Sequence, residues 1–180
     1  MPDVTRPRVV LVLGDPAGIG PELVAKLLSD PAIREYASTL IIGDQNELQV
    51  GMRIAGCGVP YRVVTSPEAI AAGAETPLLY DFRGDAKRPF DYRKSTANAG
   101  RYVLDTLTLA LSLTQQGVTD ALCYAPVNKA AMHMAGMQQH DELVWFAYQL
   151  GHKGPYGELN SLEDLWTSRV TAHVALKDVS

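Results

Sequence analysis

The residues with the clearest capacity for chemistry lie in the run Gly14-Asp15-Pro16-Ala17-Gly18-Ile19-Gly20-Pro21-Glu22. Its glycines let the backbone turn sharply and leave amides free to face an anion. No Gly-Lys-Ser/Thr follows, so it is not a Walker loop, and the glycines lack the G-x-G-x-x-G dinucleotide spacing. A tight packed turn with Pro21 at the first helical position accounts for the same residues. Asp15 is the one side chain there with catalytic reach. Lys129 follows a strand-like run directly. Its ammonium can hold a carboxylate or phosphate or assist proton transfer, and a solvated lysine in a first helical turn is the bland alternative. His173, alone in a strand-like run, reads by itself as structural, and His133 and His152 read as surface or packing residues. Trp145, Phe146, Tyr148 and Trp166 read as core or interface aromatics rather than a cofactor box.

Elements must place these groups. Residues 8–13 are apolar and β-branched without alternation, as in a buried strand, and Pro21 then opens a helix to about Ser29. A strand at 40–42 precedes Asp44, a plausible N-cap, and a helix ending near Gly56 or Gly58. Residues 61–64 and 78–82 read as further strands, and the polar stretch 83–94 as an exposed loop whose function is unreadable. Val103, Leu107, Ala110 and Leu111 share one helical face within 95–116, which Gly117 terminates. Residues 121–125 form a short apolar strand; 128–134 and 141–150 permit helices, and 169–173 reads as another strand. Strands alternating with helices predict a largely parallel α/β sheet with ligands at the carboxyl ends of its strands. The loops after Leu13, after Tyr124 and after the strand beginning at Arg169 are the places to search.

With 180 residues, 47% of them hydrophobic and 20% charged, the chain has room for one domain, or one and part of another. A net charge of −4 leaves no basic footprint for nucleic acid, so small molecules are the expected partners. The apolar run at 9–13 is too short to span a bilayer and lacks the features of a signal peptide; a cytoplasmic location, away from membranes, is expected. Cys57 and Cys123 receive no function, and the apolar run around Cys123 predicts a buried, reduced thiol.

The 14–22 string after a first strand resembles the 4-hydroxythreonine-4-phosphate dehydrogenase family. The resemblance continues at Ala125-Pro126-Val127-Asn128-Lys129, similar to that family's Gly-Pro-(Ile/Val)-Asn-Lys stretch. It extends to 169–179, similar to its Thr-Thr-His-Leu-Pro-Leu-Arg-Asp segment. These motifs occur in order and cover essentially the whole chain, as the amino-terminal half of a family member. The resemblance implies a fold similar to the isocitrate and isopropylmalate dehydrogenases: two α/β lobes, with a cleft active site at a homodimer interface. The first lobe is expected over 1–125 and the start of a second, substrate- and metal-binding lobe over 126–180. The implied reaction is oxidation of a secondary alcohol in a small anionic acid with NAD or NADP, assisted by a divalent metal, typically zinc, held by three histidines. His173 matches the first of these ligands, and imidazole suits zinc. Lys129 and Asp15 are the implied catalytic candidates, with Asn128 beside Lys129 as a substrate contact.

His140-Asp141-Glu142 falls where the family carries Gly-His-Thr-Glu, whose histidine and threonine contact substrate. His140 carries over. Asp141 replaces a hydroxyl with an acceptor-only carboxylate that repels a nearby anion, which moves weight towards four-carbon sugar-acid phosphates or cis-dihydrodiol carboxylates as substrates. A plain N-cap at Asp141 is the alternative. Family chains are roughly twice as long, with further metal and cofactor residues in their second half. The 180-residue chain alone is therefore expected to be inactive, either as part of an active oxidoreductase or as a stand-alone α/β fragment that only binds a small anion.

Overall fold

Runs of β-branched and apolar residues become the strands of one parallel sheet: β1 (Arg8–Val12), β2 (Ser38–Gly43), β3 (Arg62–Val64), β4 (Leu78–Asp81) and β5 (Ala121–Tyr124). The order is β3-β4-β2-β1-β5, with every pairing parallel. The computed structural model describes residues 6–70, 74–82, 90–169 and 177. Such a sheet must be covered on both faces, because parallel strands are joined by helical crossovers. Alternation along the strands divides the core accordingly. Leu11, Leu13, Ile41, Leu79 and Ala125 pack in one cluster with Val24, Ala25 and Leu28 of α1 (Gly20–Ser29) and Leu48 of α3 (Gln45–Ala55). The intervening Val10, Val12, Leu40 and Ile42 are fully buried. They project to the opposite face, where α4 (Ala97–Gln115) packs on β1, β2 and β5.

Helix boundaries follow local chemistry. Asp44 Oδ1 accepts from the Asn46 N–H to start α3, and Gly56 ends it in a left-handed conformation. Thr96 caps α4, which carries its buried face through Val103, Leu107 and Ala110 as the spacing predicts. A short helix, α2 (Ile33–Tyr36), and a 3₁₀ turn at Pro67–Ala69 are additions to the predicted elements. After β5, α5 (Lys129–Met134) packs on α4 within the first compact unit, Met1–Met137.

The second unit, Gln138–Ser180, holds α6 (Glu142–Gln149) and an antiparallel hairpin, β6 (Leu159–Leu162) with β7 (Leu165–Ser168). Glu163, with φ of 43°, sits in the tight turn between the two strands. The hairpin was not anticipated from the sequence. The strand expected at 169–173 falls outside the described residues beyond Arg169, as does His173.

One packing expectation is corrected. Cys123 is exposed, because β5 is the sheet's edge and, among the described residues, pairs only with β1. Of the four aromatics expected in a core or interface, Trp145 is buried in the core, whereas Tyr148 and Trp166 are exposed on this chain, at 69% and 68%, which leaves the interface alternative for those two. No helix among the described residues is long and apolar enough to cross a membrane.

Candidate active site

The connection from β1 runs through α1 to β2, on one side of β1, while β5, on its other side, is reached from β4 through α4. The strand order therefore changes direction between the neighbouring, parallel strands β1 and β5. Helices α1 and α5, which follow those two strands, leave towards opposite faces of the sheet, α1 packing with α3 and α5 with α4. In open α/β sheets such a divergence of the connections, at the carboxyl ends of the strands, is the usual ligand position. Asp15, Asn128 and Lys129 all belong to the loops after β1 and β5 or the helix start that follows them.

The loops are stitched together at their roots. The Asp15 N–H donates to the Pro126 carbonyl at 2.9 Å, and the Ala125 N–H donates to the Val12 carbonyl at 3.0 Å. Gly14 makes the approach possible: its φ is +75°, and a Cβ there would stand 2.5 Å from the carbonyl oxygens of both Ala125 and Pro126. The glycine thus serves backbone approach as well as turning. Asp15 itself is buried, and its Oδ1 accepts from the Ala17 N–H at 2.9 Å. That carboxylate oxygen holds the shape of its own loop.

After β5, Asn128 Oδ1 accepts from the Ala131 N–H at 3.1 Å and caps α5. Its Nδ2 donates to Ser95 Oγ at 2.9 Å. Lys129 is the first residue of α5, on an exposed position next to that cap. Sequence reasoning missed a third segment, residues 90–96. The Arg93 N–H donates to the Ala17 carbonyl at 3.0 Å, and Tyr92 Oη donates to Glu47 Oε2 on α3 at 2.9 Å. Burial raises the Glu47 carboxyl above its ordinary range despite the Tyr92 bond, and burial followed by the Glu47 bond pushes the Tyr92 phenol up to about 12. No periodicity marks this stretch, because its partners lie far away in the chain, Glu47 being 45 positions from Tyr92 and Ala17 farther still from Arg93.

In the second unit, Asp141 is the N-cap of α6: its Oδ1 accepts from the Val144 N–H at 2.8 Å, and its Oδ2 lies 3.2 Å from His140 Nε2. The N-cap alternative is therefore realised, and the same carboxylate also meets the histidine. His140 is more than half exposed, at 56%, while the Asp141 side chain is nearly buried. Among the described residues there is no cluster of three or more His, Cys, Asp or Glu side chains able to hold a metal ion. The described residues alone do not fit the expected three-ligand site.

Residues 35–180 match the protein family described as "Pyridoxal phosphate biosynthetic protein PdxA". The chain belongs to this family. The PdxA match takes in Asn128, Lys129, His140 and Asp141 but begins after the 14–22 loop. Pairwise similarity takes that loop in as well. A relative in Pseudomonas aeruginosa, provisionally named 4-hydroxythreonine-4-phosphate dehydrogenase 2, is 52% identical over 173 residues, covering 96% of this chain and 51% of the relative. The D-threonate 4-phosphate dehydrogenase of Bordetella bronchiseptica is 34% identical over 95% of this chain and 49% of its own. The crystal structure of a 4-hydroxythreonine-4-phosphate dehydrogenase from Burkholderia phymatum superposes with a TM-score of 0.80 at 26% identity, over 96% of this chain and 52% of that one. The α/β architecture with a parallel sheet flanked by helices is thus that of solved PdxA-family structures. The chain spans about half the length of the curated relatives it matches.

Proposed function

We propose that this chain supplies the substrate-binding first half of an oxidoreductase that oxidises a secondary alcohol of a small phosphorylated hydroxy acid, in the manner of 4-hydroxythreonine-4-phosphate dehydrogenase. The single observation that carries the reading is the joining of the 14–22 loop to the segment that leads into Asn128-Lys129, at the carboxyl ends of β1 and β5, in a chain whose relatives bear dehydrogenase names. The Lys129 ammonium offers a complementary contact for a dianionic phosphate or a carboxylate. Asn128 fixes the start of α5, so that Lys129 is presented in one orientation. Asp15 holds the loop. In the second unit, His140 is the substrate contact, and Asp141 orients its imidazole as carboxylates commonly do.

Family resemblance extends the proposal to a nicotinamide cofactor, NAD or NADP, and to a divalent metal, zinc, with His173 as one ligand. It also supports an isocitrate/isopropylmalate dehydrogenase-like two-lobe fold, a homodimer and a cytoplasmic location. The described residues contribute binding and orientation; the remaining metal and cofactor contacts belong to residues outside them. By this reading the 180 residues alone do not turn over substrate.

A second substrate, a four-carbon sugar-acid phosphate, is favoured by one observation. Asp141 stands where the family's threonine contacts substrate, and its carboxylate is committed to the α6 cap and to His140. The Bordetella relative's name fits that class. Reduction of NAD and NADP, with and without a chelator, by a chain of the relatives' length carrying these residues tests the proposal. Turnover of a phosphorylated hydroxy acid is expected; tight phosphate binding with no turnover of any candidate would leave only an anion-binding protein.

A further inference from the structure

Residues 92–96 make three attachments to separately encoded elements and cap the helix α4 that follows them. Tyr92 Oη donates to Glu47 Oε2 on α3 at 2.9 Å. The Arg93 N–H donates to the Ala17 carbonyl in the 14–22 loop at 3.0 Å, with Arg93 itself held at a φ of 63°. Ser95 Oγ accepts from Asn128 Nδ2 at 2.9 Å, and Thr96 Oγ1 accepts from the Ala99 N–H at 3.2 Å to begin α4. This short strap therefore touches both loops at the carboxyl ends of β1 and β5, and a left-handed non-glycine residue persists only where its surroundings fix it.

Tyr92 is the strap's anchor. Glu47 is only 8% exposed, and Asp44 adds a like charge near it, so the carboxylate needs a compensating donor. Tyr92 supplies one while its ring stays half exposed, at 49%. Its O–H therefore matters more than its ring. The anchor point is firm, because Gly51 of α3 brings the helix against the first turn of α1: a Cβ there would lie 2.3 Å from the Pro21 carbonyl. Glu47 and the end of the 14–22 loop thus belong to one packed body.

We propose that Tyr92 is a positioning residue, whose bond to Glu47 fixes the 92–95 strap across Ala17 and sets the geometry of the 14–22 loop for its anionic ligand. The inference rests on the reading of that loop as a substrate contact. It assigns the strap a role that the glycine-rich loop cannot fill alone, since the loop's outer carbonyl at Ala17 is held from outside the loop.

Two arms test it. In this chain, Tyr92→Phe should speed amide hydrogen exchange at Arg93 about fivefold, the effect of one ordinary hydrogen bond, without changing exchange at Leu107 in the core of α4. Glu47→Leu should do the same, and the double variant should exceed neither single variant. Unchanged exchange at Arg93 in Tyr92→Phe, or effects that multiply in the double variant, would overturn the pairing. In a chain of the relatives' length, Tyr92→Phe should raise KM for the phosphorylated hydroxy acid about fivefold with kcat within about twofold. An unchanged KM in an active enzyme would overturn the role in the loop, since a loss of folded enzyme lowers kcat instead. If the unmutated long chain reduces neither NAD nor NADP with any candidate, the dehydrogenase reading falls. The exchange arm then decides the strap by itself.

Discussion

The backbone N–H of Asp15 donates to the carbonyl of Pro126 at 2.9 Å, tying the loop after β1 to the loop after β5. This bond joins two segments more than a hundred residues apart at the point where the sheet's connections diverge. It brings two sequence motifs together at one end of the sheet.

Gly14 is the residue that permits that bond. Gly14→Ala places a methyl group against the carbonyls of Ala125 and Pro126 and forces a side chain into a left-handed conformation. A loss of about 1–3 kcal/mol in stability is expected. Chemical denaturation measures it as a lower midpoint at unchanged slope, and a midpoint equal to that of the unmutated chain would contradict the close approach.

Asn128 joins a cap to a cross-link. Asn128→Ala should cost about 1 kcal/mol through the lost cap, whereas Asn128→Asp should keep the cap and weaken only the donation to Ser95. Comparing the unfolding free energies of the two variants separates these contributions.

Arg8 and Asp120 set an acid limit on the junction of β1 and β5. The Arg8 side chain and backbone donate to Asp120, and these bonds hold its carboxyl down to about 2. An aspartate depressed in the fold adds stability that is present above its unfolded value, about 3.9, and is lost as pH falls through about 2. Asp120→Asn should therefore lose stability less steeply between pH 4 and 2 than the unmutated chain. Denaturant midpoints across that window check the sign.

On the proposed function, Asp141 discriminates substrates. Asp141→Thr keeps a capping oxygen for α6 but removes the carboxylate 3.2 Å from His140. In a chain of the relatives' length, turnover of 4-phosphohydroxy-L-threonine should rise relative to a four-carbon sugar-acid phosphate. An unchanged ratio with altered helix stability would reduce Asp141 to a cap.

Much of the scaffold was legible because its signals are local. The apolar run before Gly14, Asp44 ahead of α3 and the shared face of Val103, Leu107 and Ala110 each follow from a few neighbouring residues, and the parallel sheet follows from their alternation. Edge position was not legible. Residues 121–124 have the composition of an inner strand, yet strand order puts them at the rim and exposes Cys123. The β6–β7 hairpin went unread because Glu163-Asp164 is an uncommon two-residue turn and the flanking strands mix apolar and polar positions without regular alternation. In the site, Asn128 and Lys129 were recognised as a motif, but the strap from Tyr92 to Ser95 depends on contacts with Glu47, Ala17 and Asn128 that no local pattern encodes.

The central claim is that the joined loops after β1 and β5 bind the anionic end of an alcohol that the complete enzyme oxidises. NAD and NADP reduction by a chain of the relatives' length, with 4-phosphohydroxy-L-threonine and a four-carbon sugar-acid phosphate, tests it most directly when Lys129→Ala is run beside the unmutated protein. The account predicts turnover of at least one of these substrates, with KM raised at least about tenfold in Lys129→Ala, as expected for loss of a charged contact to the anion. Turnover with the same KM in both proteins would contradict it.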